Sequence, residues 1–394
     1  MEITVLCKVV DNFGDVGFVW RLCKQLKNIN ADLNINLIAD DLSAFNKICN
    51  SVLPSKNHQT VNKIEIYDWN ADDLCYSDFS KNDGQKLSLI LECFQCGRPA
   101  WLEKIIFEDK LQRTVNIIMI DYLTAEKYAE DFHCLKSLTR SAKVQKVNFM
   151  PGFTAKTGGL TIDREWVELG KRNAKGPILV FTYERDWGAL VRGINHTREK
   201  NRTRGGEISG DPAENHTEAE NYTRGGDLKV LLAQGRGKKS FETSYHQLKN
   251  PKFGLEILPY LNQEDWDKMM KTCSLLFVRG EESMSRACLS GIPFVWHAYP
   301  QSEEYQLVKV EALLERMKGH FKDDDFEIIK KVWLDFNRGE GEVSEGEFEV
   351  DCRTFIENAD NLEYGFRDFA LDLRKNGDLA GNLMTFIGKI DIIK

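Results

Sequence analysis

No stretch of this 394-residue chain stays apolar for about 18 residues, the length a helix needs to span a bilayer, so no membrane segment is expected. The opening residues, MEITVLCKVVDNFGD, lack the basic region and small-residue cleavage site of a secretory leader. A strand that begins at once is the expected reading, and with it a cytoplasmic address. Basic charge is in deficit. Against 61 Asp and Glu stand 53 Lys and Arg, a formal charge of -8, which argues against a general phosphate-backbone binder and so against a nucleic-acid partner. The absence of a basic amphipathic patch argues against a membrane partner in the same way. A local basic pocket for a nucleotide, or an acidic face that attracts a basic partner, stays compatible with that balance. Of ten cysteines only Cys93 and Cys96 form a CxxC, and no second pair follows at zinc-site spacing. No metal site is expected. The pair closes an apolar run, LSLILECFQC, rather than opening a helix, so the cysteines read as buried free thiols. A G-x-G-x-x-G dinucleotide fingerprint is also missing from the first strand-helix turn.

What is present is alternation. Apolar residues at 42% and charged residues at 29% are those of a globular protein, and the length calls for two domains. ITVLCKVV, INLIAD, KIEIYDW, KLSLILECF and VNIIMID are strand-like runs, interleaved with helical patterns such as FVWRLCKQLKN and DLSAFNKIC. This order predicts an α/β fold with parallel, doubly wound sheets. NFMPGFTAKTGGL (148–160) interrupts the pattern with Pro and Gly and reads as the start of an inter-domain linker. Afterwards the alternation resumes with GPILVFTYE, DLKVLLAQG, FGLEILPYL, SLLFVRG and IPFVWHAYP. The expected division is a Rossmann-like domain over 1–150, a linker over 151–174, and a second Rossmann-like domain over 175–394 that ends in helices. NHTREKNRTRGGEI (195–208) recurs as NHTEAENYTRGGDL (215–228) with eight of fourteen positions identical. Two copies are too few for a solenoid, so 195–226 reads as a mobile, polar surface insertion.

Three constellations carry the chemistry. In DNFGDVG, Asp11, Asn12, Phe13, Gly14 and Asp15 join the first strand to the first helix, at the carboxyl edge where open α/β sheets bind ligands. Asp15 is placed equally to cap that helix or to act on a substrate. In FVRGEESMSRA a strand runs through Arg279 and Gly280 into a helix at Glu281, Glu282 and Ser283. Free N–H groups and the positive end of the helix dipole suit a diphosphate there. Phe181 and Tyr183 at period-two spacing, and Tyr260 with Gln263 after another strand, are aromatic and amide groups suited to a nucleobase, or to core packing.

Together, DNFGDVGFVWRLCKQL, DYLTAE, NFMPGFTAKTGGL, LPYLNQEDWDKM, FVRGEESMSRA and GIPFVWHAYPQ resemble the elongation factor P arginine rhamnosyltransferases, in the order found in that family. The resemblance implies a GT-B glycosyltransferase, two Rossmann-like domains facing a cleft. It implies dTDP-β-L-rhamnose as donor, an arginine of translation elongation factor P as acceptor, inversion at the anomeric carbon, and no metal or other cofactor. By it Asp15 is the favoured base, with Asp11 a catalytic partner or an orienter, and Glu281 is needed for activity. Phe181, Tyr183, Tyr260 and Gln263 fall around the thymine nucleotide, and Arg279, Glu282 and Ser283 on the diphosphate turn. Glu282 stands where the family usually has Asp, Met284 where it has Phe, and Tyr260 where it has Phe. A GT-B enzyme with another acceptor, or a non-catalytic nucleotide-binding protein, are the competing readings. Retention of Asp11, Asp15 and Glu281 counts against the second.

Overall fold

The computed structural model describes residues 1–10, 13–109, 111–204 and 228–392. The chain forms two compact units. The first comprises Met1–Leu169, Leu261–Asp267 and Ala370–Lys394, and the second Gly170–Tyr260 and Lys268–Phe369.

In the first unit β1 (Glu2–Cys7), α1 (Gly14–Ile29), β2 (Asn34–Ala39), α2 (Leu42–Ile48), β3 (His58–Val61), β4 (Ile64–Asp68), α3 (Asp72–Phe79), the one-turn α4 (Lys81–Gly84), β5 (Leu89–Cys93), α5 (Ala100–Phe107), β6 (Val115–Ile120), α6 (Tyr128–Phe132), β7 (Lys136–Ser137) and β8 (Val144–Phe149) follow one another. They build an eight-stranded sheet of order β3-β4-β2-β1-β5-β6-β8-β7. The six inner strands run parallel, and β3 and β7 close the edges antiparallel to β4 and β8. β1 is central, with Val5 level with Leu37 on one side and Leu91 on the other. It is covered on both faces, which is why it reads as a continuous apolar run. Ile3, Val5 and Cys7 face Val16, Val19, Trp20 and Cys23 of α1, while Leu6 joins Ile38, Tyr67, Phe79, Trp101 and Ile105 on the other side.

In the second unit β9 (Ile178–Val180), α7 (Gly188–Arg204), β10 (Lys229–Leu232), α8 (Lys238–His246), β11 (Gly254–Ile257), α9 (Gln263–Thr272), β12 (Leu275–Arg279), α10 (Gly280–Ser290) and β13 (Phe294–His297) give a five-stranded parallel sheet of order β11-β10-β9-β12-β13. The first five residues of α9 group with the first unit. Helices α11 (Tyr305–Met317), α12 (Asp323–Asn337) and α13 (Glu345–Lys375) follow, then α14 (Leu379–Ile392). Both sheets are doubly wound, as expected from the alternation.

The observed division of the chain departs from the expected one. Residues 149–162 are not a bare linker but the seat of α14, within the first unit. Leu379, Ala380, Leu383 and Ile387 enter the core of β1 and α1. Leu379 N–H donates to Leu160 O at 2.8 Å, and Asn382 Nδ2 donates to Gly158 O at 3.0 Å. Gly158 is required there, because a Cβ would come 2.6 Å from the Phe149 ring and 2.8 Å from Leu379. The Pro and Gly residues that suggested a joint instead permit close backbone packing. Of the expected insertion 195–226, residues 195–204 continue helix α7. The remainder lies outside the described residues. Seven cysteines are buried and all ten are free, but Cys134 is exposed, contrary to the expectation of burial. Among the described residues no helix is long and apolar enough to cross a membrane, and no cluster of His, Cys, Asp and Glu is arranged to hold a metal ion.

Candidate active site

In each sheet the winding reverses beside the first strand, between β1 and β5 and between β9 and β12. Loops leaving the carboxyl ends of such strands part in opposite directions and leave a crevice for ligands. Both charged constellations of the sequence fall there.

In the first unit the segment after β1 carries Phe13, Gly14 and Asp15, while Asp11 and Asn12 lie outside the described residues. Phe13 is the N-cap of α1 and no side chain caps it. Asp15 does not cap the helix. It is 3% exposed, and its Oδ2 accepts the Val10 N–H at 2.8 Å. Asp40, at the end of β2, accepts the preceding amide, that of Val9, at 2.8 Å. Two carboxylates therefore fix consecutive amides of one loop. Burial, followed by the negative field of Asp15, pushes the Cys7 thiol up, so Cys7 stays a neutral core thiol. Gly14 has open space where a Cβ would stand. Asp40 was not anticipated from the sequence; its neighbour Asp41 caps α2, accepting from Ala44 N–H.

In the second unit β12 ends at Arg279 and α10 begins at Gly280. Arg279 is extended and no side chain caps the helix behind it, so the first-turn N–H groups carry no side-chain cap. Gly280 has φ +66°, a conformation that glycine adopts without penalty. Its carbonyl accepts the Trp296 indole N–H at 3.2 Å. The Arg279 guanidinium carbon lies 4.6 Å from the ring centroid of Phe181 and 4.6 Å from that of Tyr183. These two aromatics, expected around a base, hold the arginine of the turn expected to meet a diphosphate; a cation stacked this way gains about 0.5–2 kcal/mol per ring. Tyr183 is buried, at 3% exposure. Gly235 and Gly237 press onto the same segment. A Cβ on Gly235 would come 3.2 Å from the Phe181 ring and 3.3 Å from Arg279 Nη2, and one on Gly237 would come 2.6 Å from the Thr182 and Tyr183 carbonyls.

Glu281 Oε1 is 3.6 Å from Lys309 Nζ of α11, and Glu282 Oε1 is 4.0 Å from Arg286 Nε one turn on. Ser283 is buried. His297, at the end of β13, is buried and its Nδ1 accepts the Tyr183 N–H at 3.2 Å. Burial, with the cations of Arg185 and Arg279, pushes His297 down to about 3, so it is a neutral acceptor at pH 7. Lys309, Trp296 and His297 are additions that sequence reasoning missed; the last two lie inside the strand IPFVWHAYP. Tyr260 is 57% exposed and turned to solvent. Gln263 is buried. Its Nε2 donates to the Gly17 carbonyl at 2.8 Å, and it belongs to the first unit. The neighbouring Arg21, 2% exposed, pairs with Asp163 and with Asp267 at 2.7 Å, which anchors the start of α9 on α1.

The sequence model of the elongation-factor P (EF-P) rhamnosyltransferases, EarP, matches residues 3–388. The chain belongs to this family. It is a glycosyltransferase. A protein-arginine rhamnosyltransferase of Shewanella oneidensis is 26% identical over 98% of this chain and 97% of its own length. One of Pseudomonas aeruginosa is 28% identical over 86% and 87%. A solved EarP structure, described for EarP-mediated arginine glycosylation of EF-P, superposes with a TM-score of 0.56 at 17% identity and covers 99% of both chains. A UDP-bound ugt transferase of Siraitia grosvenorii gives 0.51 at 9% identity, covering 99% of this chain and 100% of its own. The fold is GT-B. The resemblance read from the six motifs was therefore to the right family, and the EarP-type loop and turn both lie at sheet reversals.

Proposed function

We propose that this EarP-family enzyme transfers L-rhamnose from dTDP-β-L-rhamnose to an arginine of EF-P, with inversion and without a metal. The observation that carries the reading is the turn at Arg279–Gly280. An arginine clamped between two rings stands beside a glycine that opens the amino end of a helix, an arrangement suited to a diphosphate whose charge grows as it leaves. That charge is met by Arg279 and by helix N–H groups, so the departure step needs no metal. The relatives' names supply the acceptor class.

The acceptor sets the harder problem. A guanidinium has a pKa above about 12 and spreads its charge, so its nitrogen is a poor nucleophile. Asp15 supplies the base. It accepts a guanidinium N–H and takes the proton as the N–C1 bond forms and the C1–O bond to dTDP breaks. Its burial and its bond to Val10 hold the carboxylate in place. Asp11 is a partner acid or an orienter, and Glu281 is fixed through Lys309. In-line displacement inverts the sugar. A translation factor as acceptor accords with a cytoplasmic address.

The test is direct. Purified protein is incubated with EF-P and dTDP-rhamnose, and the acceptor is weighed. A gain of one deoxyhexose on one arginine is expected. No gain, while the same mixture modifies a small-molecule acceptor, rejects EF-P as substrate; donor binding without any transfer rejects the enzyme reading.

A further inference from the structure

The carboxyl ends of β1, β5 and β6 are neighbours in the first sheet, and a wall there is not used by the base or the loop around it. After β5 the backbone turns left-handed at two successive non-glycine residues, Phe94 (φ 58°) and Gln95 (φ 51°), before Gly97 (φ 72°). For residues with a Cβ, and one of them aromatic, this costs on the order of 1 kcal/mol each. The turn sets the Phe94 ring flat on Tyr122, with centroids 4.4 Å apart and planes at 19°, and against Phe18 at 5.2 Å. It also brings Gln95 Nε2 to Asp121 Oδ2 at 3.0 Å. Asp121 is the first residue after β6, and its Oδ1 accepts the Tyr122 N–H at 2.8 Å. Phe18 is three residues from Asp15 on α1, hence on the same helix face. A continuous line thus runs from Asp15 through Phe18, Phe94 and Tyr122 to Asp121.

We propose that this wall seats the acceptor arginine and selects it over lysine. The inference rests on the transfer reading given above and names the groups that hold the acceptor side chain. A guanidinium is planar, stacks on aromatic faces and presents a fork of N–H groups to a carboxylate; an ammonium does neither flatly nor bidentately. Phe94, Tyr122 and Phe18 are half-buried, so part of this aromatic cluster is solvent-accessible. A carboxylate has about four acceptor positions, and Gln95 and Tyr122 hold one on each oxygen of Asp121. Gln95 acts as a positioning residue, because its amide fixes the rotation of Asp121 without needing to touch the ligand.

The seat is tested on the full chain with Asp121→Asn, Asp121→Glu and Tyr122→Leu. With EF-P as varied substrate at saturating dTDP-rhamnose, Asp121→Asn and Tyr122→Leu raise the acceptor KM at least tenfold and leave dTDP-rhamnose affinity by calorimetry within twofold. Asp121→Glu recovers part of the loss. Unchanged acceptor KM in both variants, or an equal loss of donor affinity, overturns the proposal. Titration of N-acetylarginine amide and N-acetyllysine amide by nuclear magnetic resonance reads the seat without turnover. Wild type binds the arginine compound at least tenfold tighter, and Asp121→Asn loses that preference. Equal binding of the two by wild type overturns the seat, whereas absent transfer by a wild type that still prefers arginine overturns only the reading on which it rests.

Discussion

Acid should destabilise the second unit through His297, and the size of the effect follows from its surroundings. In the unfolded chain the imidazole takes a proton near 6.5. In the folded protein burial and two nearby cations hold it at about 3. The folded state refuses a proton that the unfolded state accepts, so stability from this group is complete above about pH 6.5 and falls as pH drops toward 3. At pH 5 the loss is about 2 kcal/mol, a large share of a typical margin of about 5–15. Protonation would also remove the acceptor of the Tyr183 N–H and place a third cation among Arg185 and Arg279. Asp335 runs the other way. Burial and the neighbouring Asp351 raise its carboxyl, so it adds stability as pH falls. A comparison of wild type with His297→Asn cancels it, since both proteins carry Asp335, and Asn keeps an acceptor oxygen for the Tyr183 N–H. The variant loses ring packing against Trp187 and Phe336 and is the less stable at pH 7. In urea titrations followed by circular dichroism, the gap should narrow by about 2 kcal/mol between pH 7 and pH 5. A gap that stays constant refutes the argument that His297 is held neutral.

Asp15→Asn should abolish transfer while dTDP-rhamnose still binds, because the amide retains shape but cannot take a proton; near-normal turnover would reject Asp15 as base. Gly280→Ala places a Cβ at φ +66°, at a cost of about 1 kcal/mol, and weakens donor binding if the turn meets the diphosphate. Calorimetry with dTDP showing wild-type affinity would remove Gly280 from the donor site. Asn382→Ala takes the Nδ2 donor from Gly158 O and Asn376 O and should destabilise the first unit by about 1–3 kcal/mol; an unchanged denaturation midpoint would show that α14 is seated by its apolar face alone.

Much of this was legible in the residues. Strands covered on both faces, such as Ile3–Cys7 and Leu275–Val278, need unbroken apolar runs, and those runs stand out. Strand β8 was not legible, because Gln145, Lys146 and Asn148 dilute its pattern near a sheet edge. The short antiparallel β3 and β7 escaped for the same reason. The family could be read because its motifs are loops and turns whose chemistry tolerates few substitutes. Local order in the chain, then, determined two doubly wound sheets, the loop of Asp15 and the turn of Arg279. Tertiary structure alone decided the rest: that 149–162 receives a helix from the far end of the chain, that Gln263 donates to Gly17, and that Phe181 and Tyr183 clamp an arginine. Each of these joins residues tens to hundreds of positions apart, and a side chain's partner across such a distance is set by packing, which periodicity along the sequence does not encode.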